Sequence, residues 1–263
     1  MLPALISRWL AIALPVIFVI NLVAVHMVVA PHDVDFVAMV KLLEWRDPVT
    51  GRQLNLPIDR SAPIDEQIIA LQNVERVSLH SNQISELPPE IGNLVRLHHL
   101  DLSKNLLQTL PLEIGNLNDL QVLELHNNQL LELPPEIGSL INLRYLHLGN
   151  NNLSQLPPEM GNLNNLERLY LSSNQLNTLP PEIANLSSLH QLFLANNEIA
   201  NLPPEVSSLA NLQALFLYGN QIEDLPPEIG DLTNLEILDL SNNPIVTIPP
   251  EIEALPYVDI LHD

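Results

Sequence analysis

The chain has 263 residues, 46% of them hydrophobic and only 4% aromatic, with 31 Asp plus Glu against 10 Lys plus Arg and a formal net charge of −21. That charge excludes a nucleic-acid binder, whose phosphate contacts need a basic face, and weighs against tight association with an anionic lipid surface. The absence of Cys excludes disulfides, Cys-ligated zinc, thiol nucleophiles and Cys-held iron–sulfur clusters.

Residues 1–8 form a short N-terminal flank in which Arg8 is the one cationic side chain. Residues 9–30, WLAIALPVIFVINLVAVHMVVA, carry no charged side chain apart from the protonatable His26. A helix of this length spans about 33 Å, enough for a hydrocarbon core of about 30 Å, so the stretch is expected to be a transmembrane helix or signal anchor. Pro15 and Asn21 are tolerated in such a helix. Arg8 before the segment and the acidic PHDVD after it place the repeats on the extracytoplasmic side of a single-pass membrane protein. The rival is a signal peptide cleaved after Ala30, leaving a secreted protein; against it stand the length of the apolar run and Pro31 just after the cut. Residues 31–50 read as a juxtamembrane linker. Within it, 33–45 is expected to be a short helix with Phe36, Val40 and Leu43 on one side, and DPVTG at 47–51 a turn.

Residues 51–73 read as a degenerate N-terminal cap. Leu54, Leu56, Asp59, Ile64, Ile68 and Leu71 each precede by 23 residues a counterpart downstream: Val77, Leu79, Asn82, Leu87, Ile91 and Leu94. Residues 74–257 then hold eight unbroken units of 23 residues. Residues 97–119 read LHHLDLSKNLLQTLPLEIGNLND, and 120–142 read LQVLELHNNQLLELPPEIGSLIN. A single Asn keeps its place throughout, as Asn82, Asn105, Asn128, Asn151, Asn174, Asn197, Asn220 and Asn243. Each unit opens on L-x-x-L-x-L-x-x-N-x-L, and by these residues the chain resembles the leucine-rich repeat family. The second half, LPPEIGNL, is similar to the repeat class of Ras-group-related scaffold proteins and of many bacterial leucine-rich repeat proteins. The resemblance implies an α/β fold: a right-handed solenoid with a parallel concave sheet and short convex helices or 3-10 turns, here preceded by the transmembrane helix. It also implies protein binding as the usual role.

The residues support that architecture independently. In L-x-L, as at Leu100 and Leu102, alternation puts both Leu on one strand face and the residue between them on the other. The Asn follows the strand, where its amide can satisfy backbone groups of the turn and of the neighbouring repeat, forming a ladder. The Pro pair suits a helix start, because φ is preset and the missing N–H had no partner there. A Glu follows in the first turn, at the positive end of the dipole. Ile91, Leu94 and their counterparts return to the core, and Gly92 or Gly115 is expected to let the short helix end early. Residues 258–263 read as a truncated ninth strand with Val258 and Leu261 at the first and fourth positions of the frame. Asp259 and Asp263 would guard its edge by charge; alternatively this end docks on another chain, giving oligomers.

Function is expected on the strand positions that the frame leaves free. Between the two strand Leu runs the row Ser78, Asp101, Glu124, His147, Tyr170, Phe193, Phe216, Asp239. The row two residues later includes His126, Gly149, Ser172, Ala195 and Tyr218; the row two residues earlier includes Tyr145, Arg168 and Gln191. Of the 4 Phe and 4 Tyr in the chain, five (Tyr145, Tyr170, Phe193, Phe216, Tyr218) fall in these rows. Exposed aromatic clusters with a polar rim mark interaction sites, although aromatics also suit strands and stack on one another. The expected protein-binding set is therefore Glu124, His126, Tyr145, His147, Arg168, Tyr170, Gln191, Phe193, Phe216, Tyr218 and Asp239. His126 and His147 lie in adjacent repeats, but no tight His and carboxylate spacing accompanies them, so no metal or other cofactor is expected. There is no P-loop, no G-x-S-x-G and no H-E-x-x-H, hence no enzyme. Residues 169–263 hold thirteen acidic residues and no Lys or Arg, which points to a protein partner with a basic patch. The composite expectation is a membrane-anchored, non-catalytic scaffold or receptor-like module that binds another protein on its concave face. The alternatives are a glycan-binding envelope protein and an intracellular scaffold of the small-GTPase-associated type.

Overall fold

The computed structural model describes residues 44–46, 53–55 and 75–262, apart from 82, 83 and 88. The flank 1–8, the expected membrane segment 9–30, most of the 31–50 linker and of the 51–73 cap, and Asn82 lie outside the described residues. Among the described residues no helix is long and apolar enough to cross a membrane.

Two short strands precede the repeats: β1 (Glu44–Arg46) and β2 (Gln53–Asn55), paired antiparallel with Trp45 opposite Leu54. Glu44 and Trp45 thus sit in a strand, not at the end of the helix expected over 33–45. Trp is a strong strand former, and Pro48 and Gly51 in the connection suit a chain reversal. β2 stands one repeat length before the first solenoid strand, yet it belongs to this separate two-stranded sheet.

The repeats build one nine-stranded sheet. Its strands are β3 (Arg76–Ser78), β4 (His99–Asp101), β5 (Val122–Glu124), β6 (Tyr145–His147), β7 (Arg168–Tyr170), β8 (Gln191–Phe193), β9 (Ala214–Phe216), β10 (Ile237–Asp239) and β11 (Asp259–Leu261), in sequential order. Every neighbouring pair is parallel, and from β3 to β10 partners lie one repeat apart, as Tyr145 with Arg168 and Tyr170 with Phe193. Behind the sheet run seven 3-10 turns: η1 (Pro89–Asn93), η2 (Leu112–Asn116), η3 (Pro135–Ser139), η4 (Pro158–Asn162), η5 (Pro181–Asn185), η6 (Pro204–Ser208) and η7 (Pro227–Asp231). A four-residue helix, α1 (Pro250–Glu253), takes the eighth place. Five residues cannot complete two α-turns, and the tighter i to i+3 pattern spans the gap, as in the Leu117 N–H to Ile114 carbonyl bond of 3.2 Å. The first Pro of each pair, as Pro134 at φ −67° and ψ 146°, is extended, and the second opens the turn.

Between the two layers lies a continuous apolar core. In one repeat it holds Leu120, Leu123, Leu125, Leu130, Leu133, Ile137 and Leu140, all buried. Each strand from β3 to β10 has one position in the left-handed region shortly after it, at Ser81, Lys104, Asn127, Asn150, Ser173, Asn196 and Asn242, with Gly219 in the same place at φ +67°. That kink throws the next residue inward, and the next residue is the repeated Asn. Asn151 shows what it does there. Its Nδ2 donates to the Leu125 and Leu148 carbonyls at 3.0 and 2.9 Å, and its Oδ1 accepts the Leu130 N–H at 3.0 Å. The side chain thereby closes its own turn and ties it to the preceding repeat. The same triplet recurs at Asn128, Asn174, Asn197, Asn220 and Asn243. A second, exposed set of Asn residues bridges the loops before the strands: Asn142 to the Asn118 carbonyl and Asn165 to the Ile141 carbonyl, both at 2.8 Å.

Two expectations need correction. The glycine of PEIGN does not serve to end the helix, since no positive φ occurs there. A Cβ at Gly92, Gly115 or Gly161 would lie 2.5–2.8 Å from the carbonyl oxygen of the Glu in the next repeat's turn, so glycine allows adjacent turns to touch. The last strand also slips. β11 pairs Ile260, not Leu261, with Leu238, one residue out of the repeat frame. In that register Val258 and Ile260 pack on the core, whereas Leu261 faces out at 43% exposure. The in-frame pairing would have aligned Asp263 with Leu240, whose counterparts are all buried Leu.

Candidate functional site

The free strand positions form three rows along the open face of the sheet, placed by the one-repeat register. In the middle row the rings of His147, Tyr170, Phe193 and Phe216 make a continuous stack. Centroids are 4.8, 4.3 and 4.6 Å apart, with interplanar angles of 15°, 6° and 5°. Tyr145 leans on Tyr170 at 5.1 Å, and His126 on His147 at 4.3 Å. The strand spacing of about 4.8 Å is close to the centroid separation of offset-stacked rings, which is why neighbouring repeats can stack them. Each of these rings is half-buried, while Tyr218 in the next row is exposed. The stack hides the ring faces on one another and presents ring edges outward.

The N-terminal part of the face is polar and internally paired. His99 accepts from the Arg76 guanidinium at 2.7 Å and faces Glu124 at 3.0 Å, so its Nε2 carries the proton toward the carboxylate. His126 stands 3.9 Å from the other Glu124 oxygen. Asp101 accepts from the Ser78 and Ser103 hydroxyls at 2.9 and 2.6 Å, and Asp239 from the Ser241 hydroxyl at 2.8 Å. The expected binding carboxylates Glu124 and Asp239 are therefore already engaged. Arg168 and Gln191 lie side by side on β7 and β8, with Arg168 exposed. Among the described residues, no group of three or more His, Asp or Glu converges as a metal site.

His147 is held neutral. Burial, and then His126 beside it, lower its pKa to about 4 against the opposing pull of Glu124. Its Nδ1 accepts the Gly149 N–H at 3.2 Å, a contact that a side chain at 149 would crowd. A folded-state pKa below the ordinary 6.5 means that the unfolded chain takes the proton first. The stability this group contributes is present above pH 6.5 and is lost as pH falls from 6.5 toward about 4. His147→Phe keeps a ring in the stack and removes the titration. Its melting temperature relative to wild type is expected to rise by a few degrees between pH 7 and pH 4.5; a constant difference would contradict this account.

The rows on the open face recur with the repeat, and so do the matches to known families. Residues 72–130 match the leucine rich repeat family, 135–218 the leucine-rich repeat region and 210–256 the two-copy leucine rich repeats. The chain is a leucine-rich repeat protein. None of the matched families is an enzymatic one. No curated protein matches the sequence. Among solved structures, this leucine-rich repeat protein is 39% identical to a leucine-rich repeat protein of Leptospira interrogans, with a TM-score of 0.70 over 74% of this chain and 51% of that one. It is 33% identical, with a TM-score of 0.64, to the ectodomain of the Arabidopsis thaliana membrane receptor kinase GASSHO1/SCHENGEN3, solved in complex with Casparian Strip Integrity Factor 2. That match covers 73% of this chain and 24% of the receptor ectodomain. The leucine-rich repeat domain of the type III effector XopL is 29% identical at a TM-score of 0.66, over 75% of this chain and 71% of that one. The chain thus spans about half the length of the first of these and a quarter of the second.

Most of the expected binding set lies on one face of this leucine-rich repeat protein: Tyr145, His147, Arg168, Tyr170, Gln191, Phe193, Phe216 and Tyr218 follow one another across β6 to β9 and the turn after β9. Glu124 and His126 adjoin them, and Asp239 closes the far end. Sequence reasoning missed Gly149, whose open space receives His147, and Arg76, which orients His99. Both stand in the same rows, so the repeat register held the signal.

Proposed function

We propose that this leucine-rich repeat protein is a non-catalytic binding module, a scaffold or receptor-like unit, that seats another protein on its concave face over β6 to β9. We further propose that residues 9–30 tether it to a membrane with the repeats on the extracytoplasmic side. The observation that carries the binding reading is the ring stack from His147 to Phe216, a continuous aromatic edge on an otherwise acidic solenoid. The receptor ectodomain among its structural relatives was itself solved with a protein factor bound, which supports the class of ligand. The stack disfavours the glycan alternative, because a sugar packs on an open ring face and these faces are turned on one another.

The test compares full-length wild type with the triple change Tyr170→Ser, Phe193→Ser and Phe216→Ser. Circular dichroism first establishes that both are folded. A partner isolated with the wild type is expected to bind the triple variant at least 100-fold more weakly, since a buried aromatic anchor contributes about 2 kcal/mol or more. Equal affinity would remove the concave face from consideration. For the tether, the full chain should stay with membranes after alkaline carbonate extraction, with its repeats open to protease added outside intact cells. Release by carbonate, or protection from that protease, would overturn the topology.

A further inference from the structure

We infer that the concave face selects an acidic, extended segment of its partner, with a carboxylate on Arg168 and apolar side chains against the ring edges of Tyr170, Phe193 and Phe216. The inference rests on the concave binding function proposed above and adds the partner's chemistry to it. The net charge of −21 would by itself point to a basic partner. The local inventory points the other way. Asp101 is bonded to Ser78 and Ser103, Glu124 to His99, and Asp239 to Ser241. Glu167, next to the site in sequence, is paired with Arg144 at 3.2 Å. Over β4 to β10 a basic segment on the open face would meet carboxylates that already have donors.

Arg168 is in the opposite condition. It is exposed, and among the described residues it makes no ion pair. It stands beside the Tyr145–Tyr170 ring pair at the start of the apolar stretch. Burial together with Tyr170 and Glu124 lifts the Tyr145 hydroxyl to about 12, so Tyr145 stays uncharged and brings no anion to Arg168. A partner that covers the guanidinium without supplying an anion leaves a desolvated charge, which is strongly unfavourable. No Lys or Arg follows in 169–263, so the position of the matching carboxylate is specified by one residue. The outward ring edges carry the positive side of the aromatic quadrupole and so also accept nearby oxygen atoms. Repulsion from the rest of the acidic solenoid is screened beyond about 8 Å at physiological ionic strength.

The experiment is a selection of random 12-residue displayed peptides on the full chain in detergent, run in parallel on wild type, Arg168→Glu, Arg168→Lys and Phe193→Asp. Because Arg168 is exposed, its exchange leaves the fold intact, and circular dichroism checks Phe193→Asp. Wild-type binders are expected to carry Asp or Glu beside apolar residues. Arg168→Glu should weaken each of them at least tenfold and shift its own selection toward Lys and Arg, while Arg168→Lys should keep the acidic preference. Basic binders on the wild type, or the same charge composition on wild type and Arg168→Glu, overturn the inference. If Phe193→Asp still abolishes those binders, the concave reading survives that result. Binders indifferent to both Arg168→Glu and Phe193→Asp overturn the concave reading as well, and an empty selection overturns the short-segment inference.

Discussion

Replacing Asn151 with Ala is expected to lower the unfolding free energy by about 2–4 kcal/mol. The side chain serves three buried backbone groups: the Leu130 N–H and the Leu125 and Leu148 carbonyls. The Leu130 N–H is left without a partner where water has no path to it, whereas the Leu125 and Leu148 carbonyls each lose one of two donors and keep Asn128 and Asn174. A buried polar group stripped of its partner costs roughly 1–3 kcal/mol, and the two lost carbonyl bonds add about 0.5–1.5 kcal/mol each before relaxation. Asn142→Ala removes an exposed bond to the Asn118 carbonyl, which water can replace, and should cost less than about 1 kcal/mol. Denaturant titration followed by far-ultraviolet circular dichroism measures both. Equal losses at the two positions would show that the inner ladder has no special energetic place.

The second large effect concerns Gly161. Its added Cβ would lie 2.5 Å from the Glu182 carbonyl oxygen, on backbone that cannot step aside without moving the next turn. Gly161→Ala is therefore expected to destabilise by about 1–3 kcal/mol. The sign is diagnostic. If the glycine only ended the 3-10 turn, alanine at an ordinary negative φ would stabilise by about 0.4–1 kcal/mol through the unfolded chain. The repeat five counterpart is Ala184, half-buried where Gly161 is buried, so a methyl is accommodated between those two turns. Ala184→Gly should accordingly change the unfolding midpoint little. A stabilised Gly161→Ala protein would return the residue to the role that sequence alone suggested.

The parts that follow the period were legible in the sequence. Leu100 and Leu102 point inward, Asn128 lies in the turn, and Tyr170, Phe193 and Phe216 share a row, because a repeat of constant length puts like positions side by side. What depends on distances between repeats was not legible. Whether Phe193 offers a face or an edge is decided by strand spacing. The need for Gly161 is decided by how closely two turns approach. The pairing of Glu124 with His99 joins different rows and strands, and no linear pattern announces it. The slip of β11 follows the local alternation of Val258 and Ile260, which puts both on the core and overrides the 23-residue frame.

The Asn triplets have one more consequence. Each reaches only its own turn and the repeat before it, so no bond in the series depends on how many repeats the solenoid contains. A block of 23 residues could be duplicated or excised between two such turns, and the joint would offer the same donors and acceptors as any other. Recombination within the gene can therefore lengthen or shorten the aromatic stack by one ring at a time, with a new surface tried at each step and no core to reinvent.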